Sequence, residues 1–312
     1  MKSSKLTFVT ILIIIVLIVV GYFVYQSQTN KKPEITKIGF LVPTLENPFF
    51  VDMTEAAKSM SSEKVKILVQ ASQDELKQNQ IIENFIIQGV DAICVVPINS
   101  ESIIPAIVKA NKASIPIVNI DNKVNMESAK KQGAKIGFYI GSDNFEGGQL
   151  AAKFIAKKLD LKGTVAILEG VTGNDAAIQR KGGFENAIKE YPNIKIVASQ
   201  AADWNRQKAK DIFQAIIAAH PNLNAVFACN DEMALGVIAA MNSNNIPLNS
   251  IVVVGFDAID EAVKAVKEGK LDATIAQRPK LMGKQSIELL LDLLNGKAVN
   301  KTYSTPLKVI TK

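Results

Sequence analysis

The chain contains 312 residues with a formal net charge of +6, a length that suits two domains with separate cores. Four lysines lie among the first 33 residues, which contain no acid, and the rest of the chain has 32 basic against 30 acidic residues. The basic excess is therefore mostly a property of the N-terminus. No basic patch interleaved with aromatic residues points to a nucleic acid partner.

The N-terminal segment predicts one transmembrane helix. Residues 6–25 carry no charge and consist mainly of Ile, Val and Leu, and a run of about twenty such residues spans a bilayer core of roughly 30 Å. Lys2 and Lys5 precede the run, which places the N-terminus in the cytoplasm and the rest outside. The run is long for a signal peptide and has no good cleavage site. An anchor and tether over residues 1–33, at the outer face of the cytoplasmic membrane, is therefore favoured over a cleaved signal and secretion.

After the tether, short apolar strands alternate with helices. Phe49 and Phe50 open the first helix, after the strand 38–42 and a loop that contains Asn47. Side by side on one helical turn, the two rings cannot both point into one core stripe, so at least one is expected to face the crevice beyond the strand. The alternative is that both are core or staple residues. Ser72 and Glu75 form a capping box for the next helix. Further strands are predicted over 65–69, 92–96, 117–120 and 135–140, and a helix over 101–112.

The second half repeats the alternation. Two of its strands run into acid-bearing loops, at Asn230-Asp231 and at Asp257, and the last strand ends on Gln277. Pro279 opens a final helix to Leu294, with Gly296 just past its end. The strands are predicted over 164–168, 194–198, 225–229, 251–255 and 273–276, and the other helices over 147–159, 176–190 and 205–219.

This alternation predicts an α/β fold built of parallel sheets with right-handed crossovers. The length is too great for one doubly wound sheet of ordinary size. Two similar lobes fit better than a single barrel, because polar residues recur at strand ends in both halves. A (β/α)₈ barrel remains the alternative.

The residues needed for common enzyme chemistry are absent. His220 is the single histidine, which leaves no Ser-His or Cys-His dyad and no metal cluster. Neither GxxxxGK[ST] nor GxGxxG occurs. The sequence therefore predicts no enzyme, no cofactor and no metal.

What remains is a set of polar and aromatic residues at strand ends. Taken singly, an Asp after a strand usually caps a helix and a lone tryptophan usually packs in a core. Together, carboxylates, amides and one guanidinium framed by rings suit a neutral polyhydroxylated ligand, since hydroxyls both donate and accept and rings cover an apolar C–H face. The set is Asn47, Phe49, Phe50, Asp121, Arg180, Trp204, Asn230, Asp257 and Gln277.

Several segments carry a specific resemblance over residues 35–312. They include LENPFF (45–50), SIPIVNID (114–121), GSDNFEGG (141–148), ASQAADWNR (198–206), AHPNLNAVFACNDEMALG (219–236), VVVGFDAIDEAVKAVKEGKLDATIAQRP (252–279) and TPLKVITK (305–312). In these the chain resembles the type I periplasmic sugar-binding proteins of ABC transporters, and among them the ribose-binding members most.

The resemblance implies two lobes joined by a three-strand hinge, with a monosaccharide between them held by the nine residues above. It places the crossings near 142–143, 277–278 and 306–307. The N-terminal lobe then comprises 34–142 and 278–306, and the C-terminal lobe 143–277 and 307–312.

Two positions depart from the ribose-binding pattern. Asn122 stands where an arginine follows the aspartate, and Trp204 stands in place of a phenylalanine. An arginine fork gives charge-assisted hydrogen bonds of about 1.5–3 kcal/mol each, which the shorter, neutral Asn122 cannot reproduce. Asn122 therefore joins the candidate ligand-binding residues, and ribose itself is one option among related pentoses and hexoses.

The sequence thus favours a monomeric extracytoplasmic receptor that delivers a monosaccharide to the permease of an ABC importer. A membrane-anchored sensor that reports a sugar or a furanosyl signal to a kinase or chemoreceptor is the alternative. A repressor of related fold needs an N-terminal helix-turn-helix, where this chain has an apolar run.

Overall fold

The computed structural model describes residues 35–312, so the predicted anchor and tether lie outside the described residues. Within these residues, twelve strands form two open six-stranded sheets, so the alternative of a single (β/α)₈ barrel is wrong. The first sheet contains β1 (Thr36–Val42), β2 (Val65–Ala71), β3 (Ala92–Val95), β4 (Ile117–Ile120), β5 (Tyr139–Ser142) and β11 (Thr302–Thr305). The second contains β6 (Gly163–Glu169), β7 (Ile194–Ala201), β8 (Ala225–Ala228), β9 (Val252–Asp257), β10 (Ala273–Ala276) and β12 (Lys308–Thr311).

Ten helices connect these strands within residues 35–312. They are α1 (Pro48–Lys58), α2 (Glu75–Ile87), α3 (Ile104–Lys112), α4 (Met126–Lys131), α5 (Asn144–Lys158), α6 (Asp175–Ile188), α7 (Arg206–Ala219), α8 (Asp231–Ser243), α9 (Asp260–Glu268) and α10 (Pro279–Leu294). No helix in this part of the chain is long and apolar enough to cross a membrane.

The two sheets have equivalent topologies. Their orders are β11-β5-β4-β3-β1-β2 and β12-β10-β9-β8-β6-β7, which gives each a doubly wound order with a switch point beside its first strand. Nine of the ten pairings are parallel. The exception to the predicted parallel sheets is β12, which pairs antiparallel with β10 because it enters the second sheet directly from β11 without a crossover helix.

The chain passes between the sheets three times. It leaves the first sheet after Ser142, returns after Ala276 and leaves again after Thr305. The hydroxyls of Ser142 and Thr305, 3.1 Å apart, join two of these crossings by a buried hydrogen bond. Strands β3, β4, β5 and β8 are buried along their whole length, as expected for strands covered by helices on both faces.

Local interactions set the helix starts and correct three predictions. Asp74, not Ser72, caps α2: its carboxylate accepts from the amide of Lys77, while the Ser72 hydroxyl accepts from the amide of Asp74. Helix α3 begins at Ile104 rather than at residue 101, with a proline in its first turn. Strand β5 covers 139–142 rather than 135–140, since residues 134–138, after α4 and its turn, are irregular and do not belong to the strand.

Candidate functional site

All ten candidate residues line one cavity between the two sheets. Its volume is about 780 Å³, within the range of about 300–1,000 Å³ typical of small-molecule sites. The residues lie at the carboxyl ends of strands and in the loops and first helical turns that follow them, in both sheets. They are Asn47, Phe49, Phe50, Asp121, Asn122, Arg180, Trp204, Asn230, Asp257 and Gln277.

On the side of the first sheet, Asn47 and the two phenylalanines form the start of α1. The side-chain oxygen of Asn47 accepts from the amide of Phe49 at 2.9 Å, which caps the helix and leaves the amide nitrogen free to donate elsewhere. Phe49 is buried and belongs to the core, while Phe50 is half-buried, and their rings meet edge to face at 5.2 Å. Both rings also line the cavity.

Asp121 is the buried acid of this side. Its backbone adopts a left-handed φ of 60°, and its carbonyl accepts from the hydroxyl of Tyr139 at 2.8 Å. Among residues 35–312, no group donates to its carboxylate Oδ1. Burial raises the pKa of Asp121 to about 6, against the opposing effect of the Arg180 charge. A buried, unpaired carboxylate oxygen in a cavity calls for a hydrogen-bond donor from a ligand.

Asn122 follows Asp121, but both ends of its side chain bond to the protein. Its Nδ2 donates to the carbonyl of Pro97 at 2.7 Å. Its Oδ1 accepts from the amide of Ala176, at the start of α6, at 3.1 Å. Asn122 therefore links the two sides of the cavity.

Arg180 is the buried cation of the second side. Its Nε donates to Asn144 Oδ1 at 2.8 Å and its Nη1 to the carbonyl of Cys229 at 2.6 Å. The guanidinium lies 3.7 Å from the centroid of the Phe256 ring and 5.4 Å from that of Trp204. These partners hold the Arg180 guanidinium in one orientation, and the residue is only 4% exposed.

Asp257 is a second buried acid, 3.6 Å from Arg180 Nη1. Gln277 Nε2 donates to its Oδ1 at 2.8 Å, and Gln277 Oε1 has no donor among the described residues. Burial raises the pKa of Asp257 to about 7; the Arg180 charge and the Gln277 bond act in the opposite direction. The buried part of the cavity thus contains two carboxyls and one guanidinium.

Trp204 and Asn230 complete this side. Asn230 caps α8 through its side-chain oxygen, which accepts from Met233 at 2.9 Å. Trp204 has a left-handed φ of 61°, and an added Cβ at Gly170 would lie 2.0 Å from its ring. The glycine turn after β6 therefore makes room for the tryptophan.

Two groups of residues in this region are not identified by sequence reasoning. Asn174 lines the cavity and donates through Nδ2 to the carbonyl of Ile98 on the opposite side, at 2.9 Å. Arg206, at the cavity rim, forms paired hydrogen bonds with Glu232 and Glu261. An asparagine before an apolar helix, such as Asn174, predicts a helix cap. Its hydrogen bond to Ile98, in the other half of the chain, has no local sequence signal.

The fold and the cavity define a class of protein: a two-lobed α/β receptor with its binding site between the lobes. A family model described as the periplasmic binding protein domain matches residues 38–298. The chain belongs to this family, which confirms the predicted resemblance and the two α/β lobes.

Individual relatives are similar over most of their length. The ribose import binding protein RbsB of Bacillus subtilis (strain 168) is 40% identical over 288 residues, 92% of this chain and 90% of the relative. The protein of the same name from Haemophilus influenzae is 37% identical, over 88% of this chain and 91% of the relative. The crystal structure of an ABC transporter periplasmic solute binding protein from Actinobacillus succinogenes 130z, with bound D-allose, has a TM-score of 0.83 at 39% identity. That match covers 88% of this chain and 97% of the other.

Proposed function

We propose that the protein is an extracytoplasmic solute-binding protein that captures a monosaccharide between two closing lobes and delivers it to an ABC importer. The observation that carries the proposal is the pair of buried carboxyls, Asp121 and Asp257, which line one cavity from opposite sheets with the Arg180 guanidinium. Sugar hydroxyls donate to the carboxylates and accept from the guanidinium, while aromatic rings cover the C–H face. Relatives named for ribose and a structure with D-allose support this ligand class.

The ligand contacts follow from the unused hydrogen-bonding capacity of the site. Asp121 Oδ1 and Gln277 Oε1 accept hydroxyl protons, since the described residues offer them no donor. Asn47 and Asn230 use their side-chain oxygens as helix caps and donate to the sugar through their amide nitrogens. Phe49, Phe50 and Trp204 form the apolar walls.

The proposed ligand is a ribose-like pentose or a related hexose. Asn122 offers no charged fork to a sugar, so recognition depends on the two acids and Arg180. A sugar that contacts Asp121 from one lobe and Asp257 from the other binds the closed form better than the open form and shifts the population towards closure. A furanosyl signalling molecule would use the same cavity, and a ligand panel separates the two.

The lobes of this mechanism are proposed as 34–142 with 278–306 and 143–277 with 307–312. The assignment is supported by the three crossings between the sheets and by the hydrogen bond that joins two of them. The crossings are few and short, so they suit a hinge that turns without disturbing either sheet.

The proposed partner is the permease of an ABC importer, and ATP hydrolysis belongs to another protein. The relatives named as import binding proteins favour this partner over a kinase or chemoreceptor. We propose no catalytic activity for the chain itself, and we propose that it acts as a monomer.

We also propose that residues 1–33 anchor the receptor at the outer face of the cytoplasmic membrane. The support is the uncharged apolar run at 6–25 behind two lysines. Secretion after signal cleavage is the competing possibility. The mass of the mature protein separates the two, because cleavage removes the apolar run.

Thermal unfolding of the full-length protein against a panel of pentoses, hexoses and a furanosyl signal tests the function. A sugar at 100 times its dissociation constant stabilises the folded state by about 2.7 kcal/mol, which raises Tm by several degrees. We expect this with one or two monosaccharides. No shift with any member of the panel would contradict the proposed ligand class.

A further inference from the structure

Four hydrogen bonds join the two lobes beside the sugar cavity. The Ser100 amide donates to the carbonyl of Gly173 at 3.0 Å, and Asn174 Nδ2 donates to the carbonyl of Ile98 at 2.9 Å. The Asp175 amide donates to Ser100 Oγ at 2.9 Å, and the Ala176 amide donates to Asn122 Oδ1 at 3.1 Å. We call these four bonds the clasp.

Two of the clasp bonds cap helix α6. The first N–H groups of a helix have no partner within it. In α6, Asp175 and Ala176 are the first two residues, and their amides bond to Ser100 and Asn122 of the opposite lobe. The third, Ala177, donates to its own N-cap Asn174 at 3.1 Å. The start of α6 is therefore completed from both lobes when they are closed.

The clasp is buried, so its bonds contribute to closure. Ser100, Asn122 and Asn174 are 6%, 2% and 5% exposed. In the closed form a buried donor that loses its partner stays unpaired, whereas in the open form it bonds to water, so removing one partner shifts the equilibrium towards the open form. Opening the lobes removes all four bonds, whichever sugar occupies the cavity.

The clasp also adjoins the sugar-binding residues. Helix α6 carries Arg180 in its second turn, and Asn122 directly follows Asp121. Asn122 lines the cavity, but both ends of its side chain are engaged by the protein: Nδ2 donates to the Pro97 carbonyl and Oδ1 accepts from the Ala176 amide.

We propose that Ser100 and Asn122 are positioning residues that cap α6 from the opposite lobe and thereby set the equilibrium between open and closed forms. Asn122 acts on sugar affinity through this clasp. The proposal rests on the proposed sugar-binding function. Because apparent affinity scales with the population of the competent form, the clasp changes the dissociation constants of all sugars by one common factor.

Ser100→Ala isolates the clasp from direct sugar contact, because Ser100 lines a separate cavity and not the sugar cavity. Loss of one hydrogen bond of ordinary strength is expected to weaken binding of every sugar about 3- to 10-fold, with the ranking unchanged and dissociation faster. The matched control is Ser286→Ala, which removes a buried hydroxyl that bonds within its own helix, to Gly283. This control is expected to leave affinity unchanged.

Hydrogen exchange of the Asp175 amide gives a readout that a loss of overall stability does not imitate. In sugar-bound wild type the amide is expected to exchange slowly, and in Ser100→Ala faster, with helix amides further along α6 unchanged. Ser286→Ala is expected to match wild type.

The outcomes separate the clasp from the function on which it rests. Wild-type protein that binds no sugar in the panel contradicts the proposed function; the Asp175 exchange rates of sugar-free wild type and Ser100→Ala then decide about the clasp. Equal exchange overturns it. Where wild type does bind, unchanged affinity in Ser100→Ala, or a loss confined to one sugar, also overturns it.

Discussion

Asp121 combines a strained backbone with a desolvated side chain. A left-handed φ is unfavourable for a residue with a Cβ, and such conformations persist at functional sites when the surrounding structure holds them. Here the Tyr139 hydroxyl holds the Asp121 carbonyl, while carboxylate Oδ1 lies buried in the cavity. Both features reduce the stability of the sugar-free protein, and the buried oxygen is the acceptor that we propose for a sugar hydroxyl.

Replacing Asp121 with asparagine should therefore separate binding from folding. Asp121→Asn keeps the shape but removes the charged acceptor, so we expect sugar affinity to fall about 10- to 100-fold, the equivalent of one charge-assisted hydrogen bond of about 1.5–3 kcal/mol. The free energy of unfolding without sugar should stay the same or rise, because a buried charge is removed. Calorimetric titration and chemical denaturation measure the two quantities.

The control for this variant is Asp211→Asn, on the exposed face of α7, where the carboxylate accepts from Gln207. We expect wild-type affinity from it. Unaltered affinity in Asp121→Asn would remove Asp121 from the ligand site.

The sequence predicts which residues meet in the cavity but not how each is used. Nine of the candidate residues are predicted because they lie near strand ends, and parallel strands bring their carboxyl ends to one edge of a sheet. The tenth, Asn122, is predicted because it differs from the ribose-binding pattern. The partners of Asn122, however, are Pro97 and Ala176, which lie 25 and 54 residues away. A contact of this kind depends on how two lobes meet, and local patterns do not contain that information.

At the scale of elements, helix capping separates the polar residues at strand ends into two groups. Asn47 and Asn230 cap helices, as an Asx residue after a strand usually does. Asp121 and Asp257 cap none, and both have positive φ. An acid at a strand end that is not used as a cap is the stronger indication of a ligand site.

Local signals also explain which elements the sequence predicts well. Long helices with Pro at the start and Gly at the end, such as α10 with Gly296 beyond it, follow the expected bounds. The six-residue helix α4 lacks enough turns for a periodic pattern and is missed. Ser72 and Asp74 both offer caps for α2, and only the geometry of the preceding turn selects Asp74.

The turn after β6 is expected to be sensitive at Gly170. An added methyl there would meet the Trp204 ring, so Gly170→Ala should displace the ring from the cavity wall and weaken sugar binding. Trp204 is the only tryptophan in the sequence, and its fluorescence therefore reports the change directly. We expect a shifted emission maximum and a reduced response to sugar.

Gly182→Ala provides the comparison for Gly170→Ala. It lies within α6, where an added Cβ would meet the Phe145 ring at 3.8 Å, an ordinary contact. Alanine also favours the helix by about 0.5–1 kcal/mol relative to glycine. Emission and sugar response should match wild type; a wild-type response from Gly170→Ala instead would mean that the turn yields without moving Trp204.

At the scale of the whole molecule, burial raises the pKa of several acids in and around the cavity. Burial raises the pKa of Asp121 to about 6 and that of Asp257 to about 7. It also raises the pKa of Asp231, behind Asp257, and that of Asp175, at the clasp. Arg180 is the cation that opposes the effect at Asp121 and Asp257. The folded protein therefore retains protons that the unfolded chain has already released.

This arrangement predicts that stability falls as pH rises from about 4 to about 7, the interval between the ordinary aspartate pKa and the raised values. In that interval the folded state binds more protons than the unfolded state, so the free energy of unfolding decreases with pH. Glu261 and Glu268 act in the opposite sense, because hydrogen bonds from Arg206 and Lys270 lower their pKa values. Their contribution is lost below the ordinary glutamate pKa, outside most of this interval.

Thermal unfolding without sugar from pH 5 to pH 8 measures the effect, and Tm should fall by several degrees. Asp121→Asn should flatten the curve, since it removes one of the titrating carboxyls. A Tm that stays constant or rises over this range would mean that the acids of the cavity are solvated in the sugar-free protein. The lobes would then be open for most of the time, and the sugar itself would bring these carboxyls into the buried environment that raises their pKa values.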